Sequence, residues 1–472
     1  MPSLITDRFD LARRLIERRR RLSAAVDGRP ILLMGHCSQS RNFLANERSF
    51  RQDSTFLYFV GISHPGAAAV IEADGLTTLF LPPVDPGAAL WTGAVPAAAF
   101  WQGLSGAERC RDINDLVAGH YLTLPLCEPH ANARASALSG QALDPSQPSA
   151  SGSADLRAAV VELRMARDEQ ELAEQRAAIA VTALAQRAAM QATHPGVTDT
   201  AIEALIVAIF SLHGMDAAYR SIVTPRGEIL HGHAEGKELT EGQLLLVDAG
   251  AESTIGYAAD ITRTWPVNGR FDGRQKAVYS IVLAANRAAT SVLAPGIPYS
   301  QAHIEAARVL CAGLVDLDLL CGDVDGLVEQ GAHAVFFPHG IGHLLGLDVH
   351  DMELLGDEVG YEPGVERSTQ FGLSFLRLQR PMREGVVVTI EPGIYFVPGV
   401  IGDQSLRESL GDSVNWQQAE QWLGFGGIRI EDDVLITSSG HEVLSAAIPS
   451  EVAQIEALVG SGRPPFERLL GL

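Results

Sequence analysis

The sequence predicts an α+β protein built from an N-terminal α/β domain, residues 1–155, and a larger C-terminal domain, residues 156–472. Three observations carry this expectation. Short strand-like runs alternate with helical stretches in the first third of the chain. A segment nearly free of large apolar side chains then interrupts it. Beyond that segment, Ala- and Leu-rich helices are interleaved with strand pairs joined by Gly-rich turns. The length of 472 residues suits two to three domains, and a hydrophobic fraction of 46% supplies a sizeable core.

Taken in chain order, residues 1–26 carry Arg13, Arg14 and Arg18 to Arg21 beside Asp7, Asp10 and Glu17. They lack the apolar centre of a signal peptide and read as a solvated basic helix face. Residues 29–35 (RPILLMG), 54–61 (STFLYFVG), 67–73 (AAAVIEA) and 77–81 (TTLFL) read as strands of a mixed sheet. Residues 107–119 (AERCRDINDLVAG) read as a helix. Residues 136–155, rich in Ser, Pro, Gly and Ala, read as a surface linker, which places the domain boundary near 155. A long helix over 168–193 ends at Pro195-Gly196, and Thr198 is the expected N-cap of a helix reaching Leu212. Residues 274–293 and 299–314 complete the helices.

Composition excludes several function classes. The formal net charge of -21 argues against nucleic-acid or anionic-membrane binding, which needs clustered Lys and Arg. Five cysteines without a Cys-x-x-Cys pair argue against a disulfide framework or a zinc finger. No uncharged apolar run reaches the roughly 18 residues that span a bilayer. A cytoplasmic protein is expected.

The chemistry-bearing residues sit at the ends of apolar strands. Residues 244–248 (LLLVD) deliver Asp248, and residues 256–263 (GYAADITR) carry Asp260. A hairpin centred on Thr254 would set these two carboxylates opposite each other, with Cβ atoms about 5 Å apart. Such a pair repels and needs a neutralising partner. For either Asp alone the plainer reading is a turn cap or an Arg partner, such as Arg263 or Arg429. VVVTIE delivers Glu391 before Pro392-Gly393, and IRIEDD alternates Arg429 and Glu431 onto one face. Between them lie PHGIGH, with His339 and His343, and DVHD, with His350. Together these runs supply four strand-borne carboxylates and one imidazole, matching the charge of two divalent cations. An oxygen-rich set with one nitrogen and no thiolate suits Mn²⁺, with Co²⁺, Zn²⁺ or Fe²⁺ as alternatives.

In family order, the motifs VDAG with GYAADITRT, PHGIGH with LGLDVHD, TIEPGIYF and GGIRIEDDVLIT cover 242–437. With FRQDSTFLYFVGISHPGAA and LFLPPVDPGAALWTG upstream, the chain resembles the pita-bread metallopeptidases of the aminopeptidase P and prolidase branch. The resemblance implies a creatinase-type α/β N-terminal domain and a pita-bread catalytic domain. It implies Asp248, Asp260, His343, Glu391 and Glu431 as ligands of two metal ions, with Asp260 and Glu431 bridging. Glu391 would also shuttle a proton, His231 would contact the substrate, and His350 would face the developing oxyanion. His339 and Arg380 would lie on the substrate side, and Arg429 would orient Asp260. Trp91 resembles an aromatic that reaches a neighbouring subunit's site, implying a homodimer or homotetramer. The implied reaction is hydroxide attack on the bond between an N-terminal residue and a following proline. The alternatives are a prolidase restricted to Xaa-Pro dipeptides and a non-catalytic pita-bread binding protein.

Asp248 and Asp260 are separated by one residue more than the family pattern. The turn at 253–255, or a bulge, is expected to absorb it; a shifted register would turn Asp260 away. The segment 397–422 carries no functional reading.

Overall fold

The structure, a computed structural model, describes residues 8–84 and 87–470. Asp7 of the N-terminal stretch, and Asp85 and Pro86 within LFLPPVDPGAALWTG, lie outside the described residues. The chain forms two compact units. One runs to Met165 and includes Met352–Val359; the other comprises Ala166–Asp351 and the chain from Gly360 onward. The division thus falls after Met165 rather than near 155. The Ser-rich stretch expected as a linker is built into the first unit. Helix Pro129–Ser139 is capped by Glu128, Asp144 and Ser151 bond within the following turn, and helix Ala154–Arg164 completes the unit.

In the first unit, β1 (Ile31–Met34), β2 (Ala68–Ile71), β3 (Thr77–Leu81) and β4 (Arg109–Asp112) form one sheet in that order. The first two pairings are antiparallel and the last is parallel, the mixed sheet expected. Leu32, Met34, Val70 and Phe80 pack beneath it with Ile113, Leu116 and Ala131. Two elements differ from expectation. STFLYFV is a helix, Ser54–Val60, in which Asp53 accepts from the Phe56 amide and Gly61 closes the end at φ 72°. Six of its seven residues are buried, so the run shows no helical period to read. The expected helix over 107–119 is instead the strand β4, followed by a single 3₁₀ turn, Ile113–Asp115. Pairing with β3 overrides its local preference, and its charged side chains suit a sheet edge. The basic N-terminal helix, Arg8–Ala25, is not wholly solvated. Arg19 is fully buried and donates to the carbonyls of Phe59, Ser105 and Gly106.

The second unit twice repeats a helix pair followed by strands. Glu169–Ala192, opened by a capping box of Asp168 and Glu171, precedes Asp199–Leu212, which Thr198 caps as expected. Then come β5 (Asp216–Ala217), β6 (Ile222–Thr224), β7 (Leu244–Ala249), β8 (Ala251–Glu252) and β9 (Ile261–Pro266). Gly273–Ser291 and Tyr299–Asp316 precede β10 (Val387–Ile390), β11 (Gly393–Tyr395), β12 (Gly427–Arg429), β13 (Asp432–Thr437) and β14 (Gly440–Val443). The sheets run β6-β7-β9 and β10-β13-β14, with the pairs β5-β8 and β11-β12; every pairing is antiparallel. Every residue of β7, β9 and β10 is buried, which explains the apolar runs LLLV in β7 and VV in β10; the buried Arg263 of β9 is instead held by bonds to Pro449, Glu431 and Asp432. The segment 397–422 forms three short α-helices and a 3₁₀ turn and ends on Trp422, whose ring stacks on Phe396 at 5.0 Å. Among the described residues, no helix is long and apolar enough to cross a membrane. All five cysteines are free.

Candidate metal centre

The two central ladders deliver four carboxylates to one place. In β7–β9, Asp248 pairs with Thr262 and Ala249 with Ile261. The hairpin is therefore centred one position beyond Thr254, and the two aspartates are diagonal neighbours rather than direct partners. Diagonal positions keep the same face, so the longer spacing does not turn Asp260 away. The turn at 253–257 that joins the two strands is closed by Ser253 and Tyr257, which bond through main chain and side chain. Gly250 faces Asp260 across this turn, and a Cβ there would lie 1.7 Å from the Ala259 carbonyl.

Ladders β10–β13 and β11–β12 share one register, with Val387 opposite Leu435 and Gly393 opposite Arg429. Continuing that register through the gap between them sets Glu391 directly opposite Glu431. His343 reaches the same place from the Gly-rich loop. Its amide donates to Thr389 Oγ1 at 3.2 Å, and its carbonyl accepts from the Thr389 amide at 3.0 Å. Gly342, at φ 151°, lets the loop lie against the strand; a Cβ would sit 2.4 Å from the Thr389 carbonyl.

Ligand atoms of Asp260, His343 and Glu431, all buried, lie within 4.8 Å of one another. His343 Nε2 is 3.4 Å from Asp260 Oδ2 and 3.7 Å from Glu391 Oε1. Its Nδ1 faces the Leu344 carbonyl at 3.0 Å. A carbonyl only accepts, so Nδ1 carries a proton and Nε2 is the nitrogen turned toward the carboxylates, where it could ligate a cation. Tyr219 places its hydroxyl 2.5 Å from both Asp248 Oδ1 and Asp260 Oδ1. Thr262 donates to Glu431 Oε2 at 2.7 Å.

Arg429 is the cation among these acids. It donates to Asp248 Oδ2 at 2.6 Å, to Thr262 Oγ1 at 3.1 Å and to the Tyr395 hydroxyl at 3.2 Å. It therefore orients Asp248, not Asp260 as the resemblance implied, because β12 brings its guanidinium over the end of β7. His339 is held by two bonds, Nδ1 to the Gly340 carbonyl at 2.8 Å and Nε2 from the Tyr395 hydroxyl at 2.9 Å. Both ring nitrogens are thus occupied within the protein, leaving only the ring itself for a substrate.

The acids do not ionise together easily. Burial, then the charge of Asp248, pushes the Asp260 carboxyl well above its usual range. Burial, then Asp260 and Glu391, pushes up Glu431. Glu391 is pushed up to about 7, chiefly by burial. Four converging carboxylates, one guanidinium committed to Asp248 and an imidazole whose Nε2 faces them form a donor set that fits divalent cations. Bound cations would reverse this electrostatic cost.

A pocket of about 390 Å³ opens onto these groups. Its walls include the five expected ligands with His231, His339, His350 and Arg429. The His350 ring lies 4.1 Å from that of His343, centroid to centroid. Leu230, Phe371, Phe375 and Val400 form an apolar side. Arg380 is not among the lining residues; Arg377, three positions earlier, is. The Arg380 amide donates to the Gly360 carbonyl at 3.1 Å, and its carbonyl accepts from the Tyr299 amide at 3.0 Å. Trp91 belongs to the first unit and is 83% exposed.

Sequence reasoning missed Tyr219, Thr262, Tyr395 and Arg377. Thr262 was readable, since it shares the face of Asp260 two residues away. Tyr219 and Tyr395 carry no spacing signal.

Two family models match the chain: metallopeptidase family M24 over residues 173–438, and the aminopeptidase P N-terminal domain over residues 15–121. The chain is 32% identical to the human Xaa-Pro dipeptidase, over 97% of this chain and 94% of that protein. It is 33% identical to the Xaa-Pro aminopeptidase of Escherichia coli K12, over 89% and 91%. Among solved structures, aminopeptidase PepP from Pseudomonas aeruginosa aligns with a TM-score of 0.76 and 32% identity, covering 94% of this chain and 97% of that one. Proline aminopeptidase P II from Yersinia pestis aligns with a TM-score of 0.77 and 29% identity, over 95% and 99%.

Proposed function

Because the chain belongs to metallopeptidase family M24, we propose that it is an Xaa-Pro aminopeptidase, releasing the N-terminal residue from peptides with proline in second position. The single observation that carries this reading is the convergence of Asp248, Asp260, His343, Glu391 and Glu431 in one pocket with an apolar wall. These five residues would hold two divalent cations. Manganese is the proposed metal, since the donors are oxygens with one imidazole and no thiolate. When bound, the cations supply Lewis acidity and make water a nucleophile near neutral pH. Glu391 takes the proton from the attacking water and passes it to the leaving nitrogen. His350 donates to the carbonyl oxygen as negative charge grows on it. His231, exposed on the pocket wall, bonds the substrate main chain. Leu230, Phe371, Phe375 and Val400 receive the proline ring and exclude water.

A specific observation favours the second reading, an Xaa-Pro dipeptidase. Arg377 lines the pocket, and a guanidinium there suits the free carboxylate of a dipeptide. Turnover of Ala-Pro and Ala-Pro-Ala by the manganese-loaded protein separates the two. Cleavage of the tripeptide supports the aminopeptidase; cleavage of the dipeptide alone replaces it by the dipeptidase. Trp91, with its exposed indole, is read as a contact to a second copy in a dimer or tetramer. Five free cysteines support a cytoplasmic location.

A further inference from the structure

The metal-ligand carboxylates fall into two pairs, and each pair is tied by one buried carboxamide. Gln186, on helix Glu169–Ala192, donates through Nε2 to the Ile261 carbonyl at 2.9 Å and the Val247 carbonyl at 3.3 Å. Val247 precedes Asp248, and Ile261 follows Asp260. Asn286, on helix Gly273–Ser291, donates through Nδ2 to the Ile390 carbonyl at 2.9 Å and the Ile430 carbonyl at 3.3 Å. Those two residues immediately precede Glu391 and Glu431. In each half, one amide group spends its two N–H donors on two different strands, at the peptides beside the ligands.

We infer that Gln186 and Asn286 are a matched pair of positioning residues, each setting the separation of one carboxylate pair by clamping the strands that carry it. The inference rests on reading the five side chains as metal ligands. The case is strongest at Asn286. Pro392 and Ile430 are partners in the continued register, and the Ile430 amide donates to the Pro392 carbonyl at 3.3 Å. An antiparallel pair of this kind normally exchanges a second bond in return. Pro392 has no N–H, so that bond cannot form, and the ladder is interrupted beside both glutamates. Asn286 supplies the missing donor to Ile430 and joins it to Ile390 on the neighbouring strand.

At Gln186, packing does not account for the amide. The residue is fully buried, and its Oε1 has no partner among the described residues. Leucine would occupy similar space without an unmet acceptor. What leucine would lack is the pair of donors to Val247 and Ile261.

The test uses the full chain, stripped with a chelator and titrated with Mn²⁺ by calorimetry. Gln186→Leu, Asn286→Leu and the double variant are compared with wild type. The readouts are metal stoichiometry and affinity, the electron paramagnetic resonance of the loaded pair, kcat and KM on Ala-Pro-Ala, and melting temperature. Each single variant is expected to bind Mn²⁺ about 10- to 100-fold more weakly, as for other groups that orient ligands. The resonance should change, and kcat should fall while KM holds within about twofold. Gln186→His, which keeps one N–H donor, should recover part of the loss. Should a leucine variant not fold, Gln186→Met and Asn286→Ala are scored in the same way. Variants that bind two Mn²⁺ with wild-type affinity, spectrum and kcat, whatever their melting temperature, overturn the inference. A wild-type protein that binds no Mn²⁺ overturns the site reading beneath it as well.

Discussion

Replacing Tyr219 by phenylalanine removes one oxygen from the centre of the carboxylate cluster and little else. The ring stays, so the cavity term is negligible. The hydroxyl lies 2.5 Å from both Asp248 Oδ1 and Asp260 Oδ1. It has a single proton and so serves one carboxylate at a time. The loss is therefore one hydrogen bond to a charged acceptor, about 1.5–3 kcal/mol. At about 1.4 kcal/mol per decade, this corresponds to a roughly 10- to 100-fold weaker hold on metal if the bond is made in the loaded state. The assay is calorimetric titration of chelator-stripped Tyr219→Phe with Mn²⁺, with circular dichroism to confirm the fold. Metal affinity within about twofold of wild type would show that the hydroxyl does not order the aspartates, and the geometric reasoning at that corner would fail.

Glu391→Gln is expected to lower kcat by about 10²- to 10⁴-fold, the usual contribution of a positioned acid–base group. Circular dichroism should remain native, and a rate within tenfold of wild type would contradict its role. Arg429→Met leaves Asp248 buried without its cation, so the stripped protein should lose about 3–5 kcal/mol in urea unfolding. Burial pushes His303 and His333 down to about 3 and about 4. Both are neutral when folded and protonate near pH 6.5 when unfolded. Their contribution is complete above about pH 6.5 and is lost as pH falls toward 4, with a slope approaching about 2.7 kcal/mol per pH unit for the two. Urea unfolding of His303→Leu/His333→Leu should show a shallower fall in stability from pH 6.5 to 5 than wild type. Parallel curves would exclude these two groups as the source.

Much of the site was readable from local chemistry. A carboxylate at the end of a buried apolar run, as in LLLVD and VVVTIE, is a costly placement that asks for a cation, and both strands were found where their patterns put them. The helix cap at Thr198 depends on a few adjacent residues and was equally legible. Local pattern failed where burial removed the period, as in STFLYFV, and where a distant strand imposed pairing, as in RCRD.

What the order of residues could not convey is which groups meet across the chain. Arg429 and Asp248 are 181 positions apart, Thr262 and Glu431 169, and Asn286 touches two carbonyls 104 and 144 positions away. Those contacts depend on strand register and on the helices laid against the sheets, so they exist only once the domain has closed. Residue type states what a side chain can bond; the tertiary structure alone decides which partner stands within 3 Å, because a hydrogen bond weakens steeply once distance and angle depart from their narrow range.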